Sequence, residues 1–496
     1  MASALKAQNV TLKIVNENTN ITDPWVTFIQ TVQAVRNPDD SGTTSYLGPL
    51  LNATSGSTTL QNGVSYQLSS LDNNTISLAP DWAGNLFFSS GNLSSVLGQS
   101  GQNPAPPPTV PPFSQSPFLP TDPNGTITSD KMSYNYIEFA GGSSASINPD
   151  ITYINYYSVP IQMKRISDGV TRGTPKSQAA LNNLQSKLAA VPINTANTII
   201  NAADGGIARI VSSDNSNAAD FPSFQNYVND SFGAGAKPIQ LSNQYSGQQG
   251  GSGPTATQTY TGSSVSFNGT TLIITGSSSD SSVGNYTITW SGAASDLSES
   301  IYAAVLSDYS VVWASGSKSN GNTGDNDVFS TITRDLLAGY NYGFINSDAI
   351  PLAGGNTAIG DLTSQQWMTL SGADGFTHAQ PSNSYYNPWA AGIATTFTDV
   401  YSFPFNDYLS GFSPELTINT GDTLQIKLLG ATAVPEPATV WMLSAGAALL
   451  LLKRRRDLGV FLELVSNGLR LQGKVGIFRR RLARIMSLRI RAVRAK

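Results

Sequence analysis

The chain has 496 residues, 12% of them charged, with no cysteine and a single histidine. Those counts exclude disulfides, a Cys nucleophile and the common zinc sites. The net charge of −4 hides a split: residues 453–496 carry 14 of the 28 Lys and Arg and only two acids, a net of +12, leaving −16 on the 452 residues before them, so the acidic body would repel phosphate and nucleic acid is excluded as its partner.

The first residues, Met1-Ala2-Ser3-Ala4-Leu5-Lys6, lack the basic and apolar regions of a signal peptide. If the protein is exported, its true start is expected upstream. Strand signals follow directly. Val10, Leu12 and Ile14 alternate with polar residues, and the period of two returns at Leu86–Ser90. Nine of the 27 prolines fall within 104–123, which predicts an extended surface loop there. In Tyr136-Ile137-Glu138-Phe139 the acid stands between two apolar residues. On a strand whose neighbours point into a core, apolar surroundings would raise the pKa of Glu138 towards that of a working acid.

Two helices stand out. Thr174 caps and Pro175 opens the first, Leu181, Leu184, Leu188 and Val191 form its apolar face, and Pro192 ends it. Asp325 and Asp327 suit the start of the second; Val328, Ile332 and Leu336 face inward, with Gly339 as C′. Between them, Val265–Phe267 and Thr270–Ile274 flank Asn268-Gly269, predicting a hairpin with a type I′ turn. Asn285–Trp290 alternates again, and the Ser/Gly/Asn-rich stretches near 244–264 and 315–326 read as loops. His378 lies in a predicted loop with no Gly-x-Ser-x-Gly elbow to supply a triad serine, and no phosphate- or dinucleotide-binding motif occurs. Asp325-Asn326-Asp327 is a non-specific calcium candidate; no metal and no cofactor are expected. Trp25, Trp82, Trp367 and Trp389 are each either core residues or platforms for sugar rings.

Near the C-terminus, Val434-Pro435-Glu436-Pro437-Ala438-Thr439 precedes an apolar run to Leu452 and then Lys453-Arg454-Arg455-Arg456. Pro435 and Pro437 keep the backbone extended. Ala438–Leu452 as a helix spans about 22 Å at ~1.5 Å per residue, short of a ~30 Å hydrocarbon core unless Trp441 and snorkelling cations make up the rest. The cations predict a cytoplasmic C-side. The ordered triplet resembles the PEP-CTERM sorting signal of Gram-negative, biofilm-forming bacteria. It implies an exported protein of the cell surface, matrix or periplasm, held transiently in the inner membrane through residues 438–456 and handled by an exosortase-type enzyme, with Pro435, Glu436 and Pro437 as the signal. The basic, amphipathic tail 457–496 reads either as a membrane-surface helix or as an extension without function, the latter favoured.

The body resembles glycoside hydrolase family 64, the thaumatin-like β-1,3-glucanases. Three places carry the resemblance: Leu12–Glu17; Tyr136–Phe139 followed by Thr152–Ile161; and Asn387–Ala390 with Tyr401-Ser402-Phe403-Pro404-Phe405-Asn406-Asp407. It spans residues 8–430 and implies a mainly β fold: a thaumatin-like barrel or sandwich (about 8–170 and 240–430) plus a smaller mixed α/β lobe (about 171–239 and 295–345), forming an open groove, with a hydrophobic helix C-terminal to them. It further implies inverting hydrolysis of β-1,3-glucan by two carboxylates, Glu138 being the acid, and substrate contacts at Asp407, Trp389, Tyr401 and Asp150. The family's second carboxylate aligns with Asn155, which cannot accept a proton. Asp150, five residues earlier, falls on the opposite face from Asn155 if the strand is regular. Two readings stay open: a glucan hydrolase with an altered second site, and a non-catalytic glucan- or exopolysaccharide-binding surface protein.

Overall fold

The computed structural model describes residues 9–30, 32–36, 43–47, 51–80, 82–93, 132–140, 145–196, 198–202, 204–213, 218–248, 255–321, 328–351, 355–371, 375–376 and 385–430. The chain divides at Thr432, and all that follows concerns the body before that point. The proline-rich stretch 104–123, Asp325, Asp327, His378, the Pro435-Glu436-Pro437 motif, the apolar run 438–452 and the basic tail lie outside the described residues. Among the described residues no helix is long and apolar enough to cross a membrane.

The body is mainly β with helices. Two sheets form a sandwich. The back sheet has seven strands, and the alternation at its first strand explains why. Val10, Leu12 and Ile14 are buried while Thr11 and Lys13 are not. Val10–Asn16 pairs parallel with Thr423–Leu428, Leu12 opposite Leu424, and antiparallel with Thr75–Leu78. The beginning and end of the body are thus neighbouring strands. The front sheet has six strands in the order Ile418–Asn419, Ser146–Ile151, Tyr134–Ala140, Gly84–Ser89, Trp25–Gln30 and Ser65–Gln67. Its inner face sends Val26, Phe28, Leu86, Phe88, Ile137, Phe139, Ile147 and Ile151 into the shared core. Trp82 lies beneath it, edge-on to Phe28 at 5.3 Å. A Cβ at Gly84 would stand 2.4 Å from the Trp82 ring, so only glycine fits there.

The lobe departs from the expected partition. Residues 241–321, assigned from sequence partly to the barrel, form their own six-stranded antiparallel meander, Leu241–Gln248 through Gly316–Gly321. One face of it buries Tyr260, Leu272, Ile274, Tyr286, Ile288 and Trp290, and the helices of the lobe join that core. Within the stretches 244–264 and 315–326, expected as loops, residues 244–248, 255–264 and 316–321 are strands. Polar sequences accept strand geometry when one side packs.

The local expectations are partly corrected. The first helix is Gln178–Ala189, capped by Ser177, whose Oγ accepts from Ala180 N at 3.0 Å, so the start lies beyond Thr174 and Pro175. Leu181, Leu184 and Leu188 are buried as expected. The second helix runs Val328–Tyr342, past Gly339. Gly343, at φ +76°, is the left-handed residue that ends it, whereas Gly339 makes room for the Trp367 ring, which a Cβ would approach to 2.8 Å. The hairpin exists, Phe267 opposite Leu272. Its turn is not type I′, because only Gly269 has positive φ; Asn268 Oδ1 instead accepts from the backbone N–H of Thr270 and Thr271 at 3.0 and 2.8 Å.

Candidate active site

Because strand side chains alternate, burying Ile137 and Phe139 turns Tyr134, Tyr136 and Glu138 to the outer face of the front sheet. Register builds that face row by row. Trp25, Ser89 and Tyr134 are aligned across three strands; Thr27, Phe87 and Tyr136 come next; then Ile29, Asn85, Glu138 and Asp150 span four. The first two rows supply an aromatic floor: Ile29, Phe87, Leu93, Tyr134, Tyr136 and Tyr156 make a second apolar cluster separate from the main core, with Phe87 and Tyr136 rings 5.1 Å apart. The acids occupy the third row.

Asp150 stands directly opposite Glu138, which corrects the expectation that it faces away from the second-site position. The strand ends at Ile151, and the chain bends at Ile154–Asn155 before Tyr156, so strand parity does not carry through to Asn155. Asn155 is also on this side: its Nδ2 donates to the Tyr136 hydroxyl at 2.9 Å, and its backbone carbonyl accepts from Ser212 N at 2.9 Å.

The segment around Tyr401 is pinned beside the end of the Asp150 strand. Tyr401 N donates to Ile151 O at 2.9 Å and Tyr153 N to Tyr401 O at 2.8 Å. A tight turn follows, held by Asn406 Oδ1, which accepts from Ser402 Oγ at 2.7 Å and Phe403 N at 2.9 Å. This turn displays Asp407 to solvent, with the Tyr401 hydroxyl 3.4 Å from its Oδ2. A cation arrives from the lobe. Arg334, on the Val328–Tyr342 helix, lies over the Tyr408 ring at 5.8 Å and donates to Asp335 Oδ1 at 3.2 Å. Asp335 is fully buried and accepts further bonds from Asn243 Nδ2 at 2.9 Å and from the Tyr260 hydroxyl.

The electrostatics separate the acids. Burial, then the charge of Glu415, raises Glu138 above the ordinary glutamate range. Burial raises Asp150 well above its range, reinforced by Glu138, Glu415 and Asp407. Burial also raises Asp407, but there Arg334 and the Tyr401 hydroxyl pull the other way. All three carboxyls are thus shifted towards holding protons, but only at Asp407 do a cation and a hydroxyl offset part of the rise.

The other expected substrate contacts divide. Tyr401 is half-buried beside Asp407. Trp389 is corrected: it is 1% exposed and its Nε1 donates to Tyr153 O at 3.0 Å, so it is a core residue out of reach of a ligand. Trp82 and Trp367 are buried likewise, whereas Trp25 is partly exposed on the aromatic rows. Among the described residues no group of three or more His, Cys, Asp or Glu is arranged to hold a metal ion. A cavity of about 380 Å³ in the lobe, between Tyr227, Asp230, Ile345 and Tyr385, contains none of these acids. Sequence reading missed Asn85, Arg334 and Glu415. Asn85 was within reach, since the alternation from Leu86 onward already places residue 85 on the face opposite to Leu86.

No curated protein matches the chain. Two solved structures are similar: a laminaripentaose-producing β-1,3-glucanase in complex with laminaritetraose (14% identity, 86% of this chain and 99% of that one, TM-score 0.46), and a β-1,3-glucanase domain (GH64) from Clostridium beijerinckii (13% identity, 86% and 100%, TM-score 0.47). Residues 433–456 match the family model for the PEP-CTERM protein-sorting motif, so the chain carries, next to its acidic body, a signal for export to the cell envelope.

Proposed function

We propose that the body is a β-1,3-glucan hydrolase working by inversion, with Glu138 as acid and Asp407 as base. One observation carries this reading: Glu138 and Asp150 share a register row in which burial and neighbouring carboxylates favour their protonated forms, while Arg334 offsets that effect at Asp407. Inversion needs a protonated carboxyl at the leaving oxygen and an ionised one ~6.5–9.5 Å away to hold water. Directly opposed strand residues have Cβ atoms only ~4.5–5.5 Å apart, and Asp150 is driven to stay protonated. Both facts disfavour Asp150 as the base. Asp407 reaches solvent on a separate turn. In the reaction Glu138 gives its proton to the glycosidic oxygen as the C1–O bond breaks. Asp407 takes a proton from the water whose oxygen bonds to C1 from the opposite face. The aromatic rows and Trp25 offer sugar-stacking surface along the same side.

The substrate class rests on the sequence resemblance given above. The test is release of reducing ends from laminarin by the full-length chain beside Glu138→Gln; cleavage by both, or by neither, sinks the assignment. The second reading is a glucan- or exopolysaccharide-binding surface protein, favoured by the amide at Asn155. It predicts retention on curdlan without cleavage. For localisation, we propose that residues 438–456 hold the protein transiently in the inner membrane, body outside, until an exosortase-type enzyme acts at Pro435-Glu436-Pro437. Pro435→Ala together with Pro437→Ala should leave unprocessed protein in the inner-membrane fraction. Unchanged processing would overturn that.

A further inference from the structure

Glu138 has two register neighbours, and the one on the other side from Asp150 is Asn85. Asn85 is 4% exposed, and its Oδ1 is buried without a hydrogen-bond partner. Asp150, on the far side of Glu138, is 6% exposed, and its Oδ1 is equally without a partner. Three side chains thus stand in one row across three strands, with an orphaned acceptor at each end and a carboxyl between. Leaving a buried acceptor unsatisfied costs about 1–3 kcal/mol, so the row lacks donors. Protons on the carboxyls would supply them: Asp150 donating to Glu138, and Glu138 to Asn85.

We propose that Asn85 is a positioning residue for the acid, its side-chain oxygen accepting the O–H of protonated Glu138 and so fixing where that proton points. This deepens the hydrolase reading and rests on it for its catalytic meaning, though the pairing itself does not depend on turnover. With Asn85 on one side and Asp150 on the other, the open side of Glu138 faces outward from the sheet, and a glycosidic oxygen arriving there takes the proton that Asn85 Oδ1 holds in the resting site. Asn85 is itself held in place from below: it follows Gly84, packed on Trp82, and its other register neighbour is Ile29 of the apolar cluster. The charged and titratable groups around the row are Asp150, Glu415, Asp407 and Tyr401; the Tyr401 hydroxyl is directed to Asp407, and Asn85 Oδ1 receives no donor.

The test reads the Glu138 proton directly. The chain has six glutamates, so the full-length protein labelled with 13C at the glutamate carboxyl carbon gives few signals, and the one lost in Glu138→Gln is Glu138. Asn85→Asp keeps the side-chain volume and places a third carboxyl against Glu138; the titration midpoint should rise by about one pH unit. Asn85→Ala removes the acceptor and should lower it by up to about one unit, the size of one hydrogen bond. Opposite shifts from one position are the signature of a side chain that faces the carboxyl. An unmoved midpoint in Asn85→Asp, or a rise in Asn85→Ala, overturns the proposal. If Asn85→Ala does not fold, the near-isosteric Asn85→Asp decides alone. Where glucan is cleaved, the alkaline limb of kcat/KM should move with the midpoint. Shifted midpoints without cleavage would keep the pairing and sink the hydrolase reading; cleavage with unmoved midpoints would do the reverse.

Discussion

Glu138 and Asp150 face each other across the antiparallel pair formed by Tyr134–Ala140 and Ser146–Ile151. Two carboxyls so placed cannot both ionise without strong repulsion. Glu138 is the more accessible of the two, half-buried where Asp150 is 6% exposed, so it is the one that can meet a glycosidic oxygen. Glu138→Gln keeps the shape and loses the transferable proton. It should cut laminarin hydrolysis by about 10²–10⁴-fold, the usual worth of a general acid, while retention on curdlan stays near wild type. Loss of retention in step with loss of turnover would make Glu138 a binding residue instead.

Positions 155 and 407 are the two places from which a base could act, and two substitutions separate them. Asp407→Asn should abolish cleavage with little effect on fold, since the turn is held by Asn406 and not by Asp407. Asn155→Asp should be tolerated as well. Its side-chain amide donates to the Tyr136 hydroxyl, and a hydroxyl can reverse its role and donate to a carboxylate. If Asp407 is the base, Asn155→Asp changes turnover little. A gain of tenfold or more, with Asp407→Asn still active, would instead identify position 155 as the site where a base has been lost.

How much of this was legible beforehand varies with the range of the interaction. Glu138 and the strand around it could be read locally, because Ile137 and Phe139 announce which face is dry. The side on which Asp150 lies relative to Asn155 does not follow from strand parity, because the chain bends at Ile154–Asn155. Arg334 could not be placed at all. Its spacing from Ile332 and Leu336 marks only the side of a helix, and what meets that side is Tyr408, 74 residues away in the chain. Trp389 shows the converse: an aromatic in a sugar-binding-like context turned out to serve the core through its bond to Tyr153.

Burial of Asp150 has a consequence for stability against pH. Its folded-state pKa lies well above that of the unfolded chain, chiefly through desolvation. In the window between those two values the unfolded state binds fewer protons than the folded one, so folding stability falls as pH rises through it. Asp150→Asn removes that liability. The variant should melt higher than wild type near pH 7, and the difference should shrink towards about pH 4, where the unfolded chain's carboxyl begins to hold the proton as well. Scanning calorimetry of the two proteins from pH 4 to 8 checks this. A variant that melts lower at pH 7 would mean that Asp150 is ionised and bound to a cation in the folded protein.

The two tryptophans nearest this argument should behave oppositely. Trp389 is fully buried and bonded to Tyr153 O; truncating it to Ala leaves a large cavity and should cost about 3–5 kcal/mol. Any weakening of glucan retention should then track the fraction unfolded. Trp25 is partly exposed, in register with Ser89 and Tyr134. It is four residues along its strand from Ile29, which heads the Glu138 row, a distance of about 14 Å at ~3.4 Å per residue. A sugar stacked on it would belong to the same chain as the bond being cut, some rings removed. Trp25→Ala should therefore leave the melting temperature near wild type, raise KM for long glucans, and spare short oligosaccharides that cannot span the distance. Equal effects on long and short substrates would place the glucan elsewhere on the body.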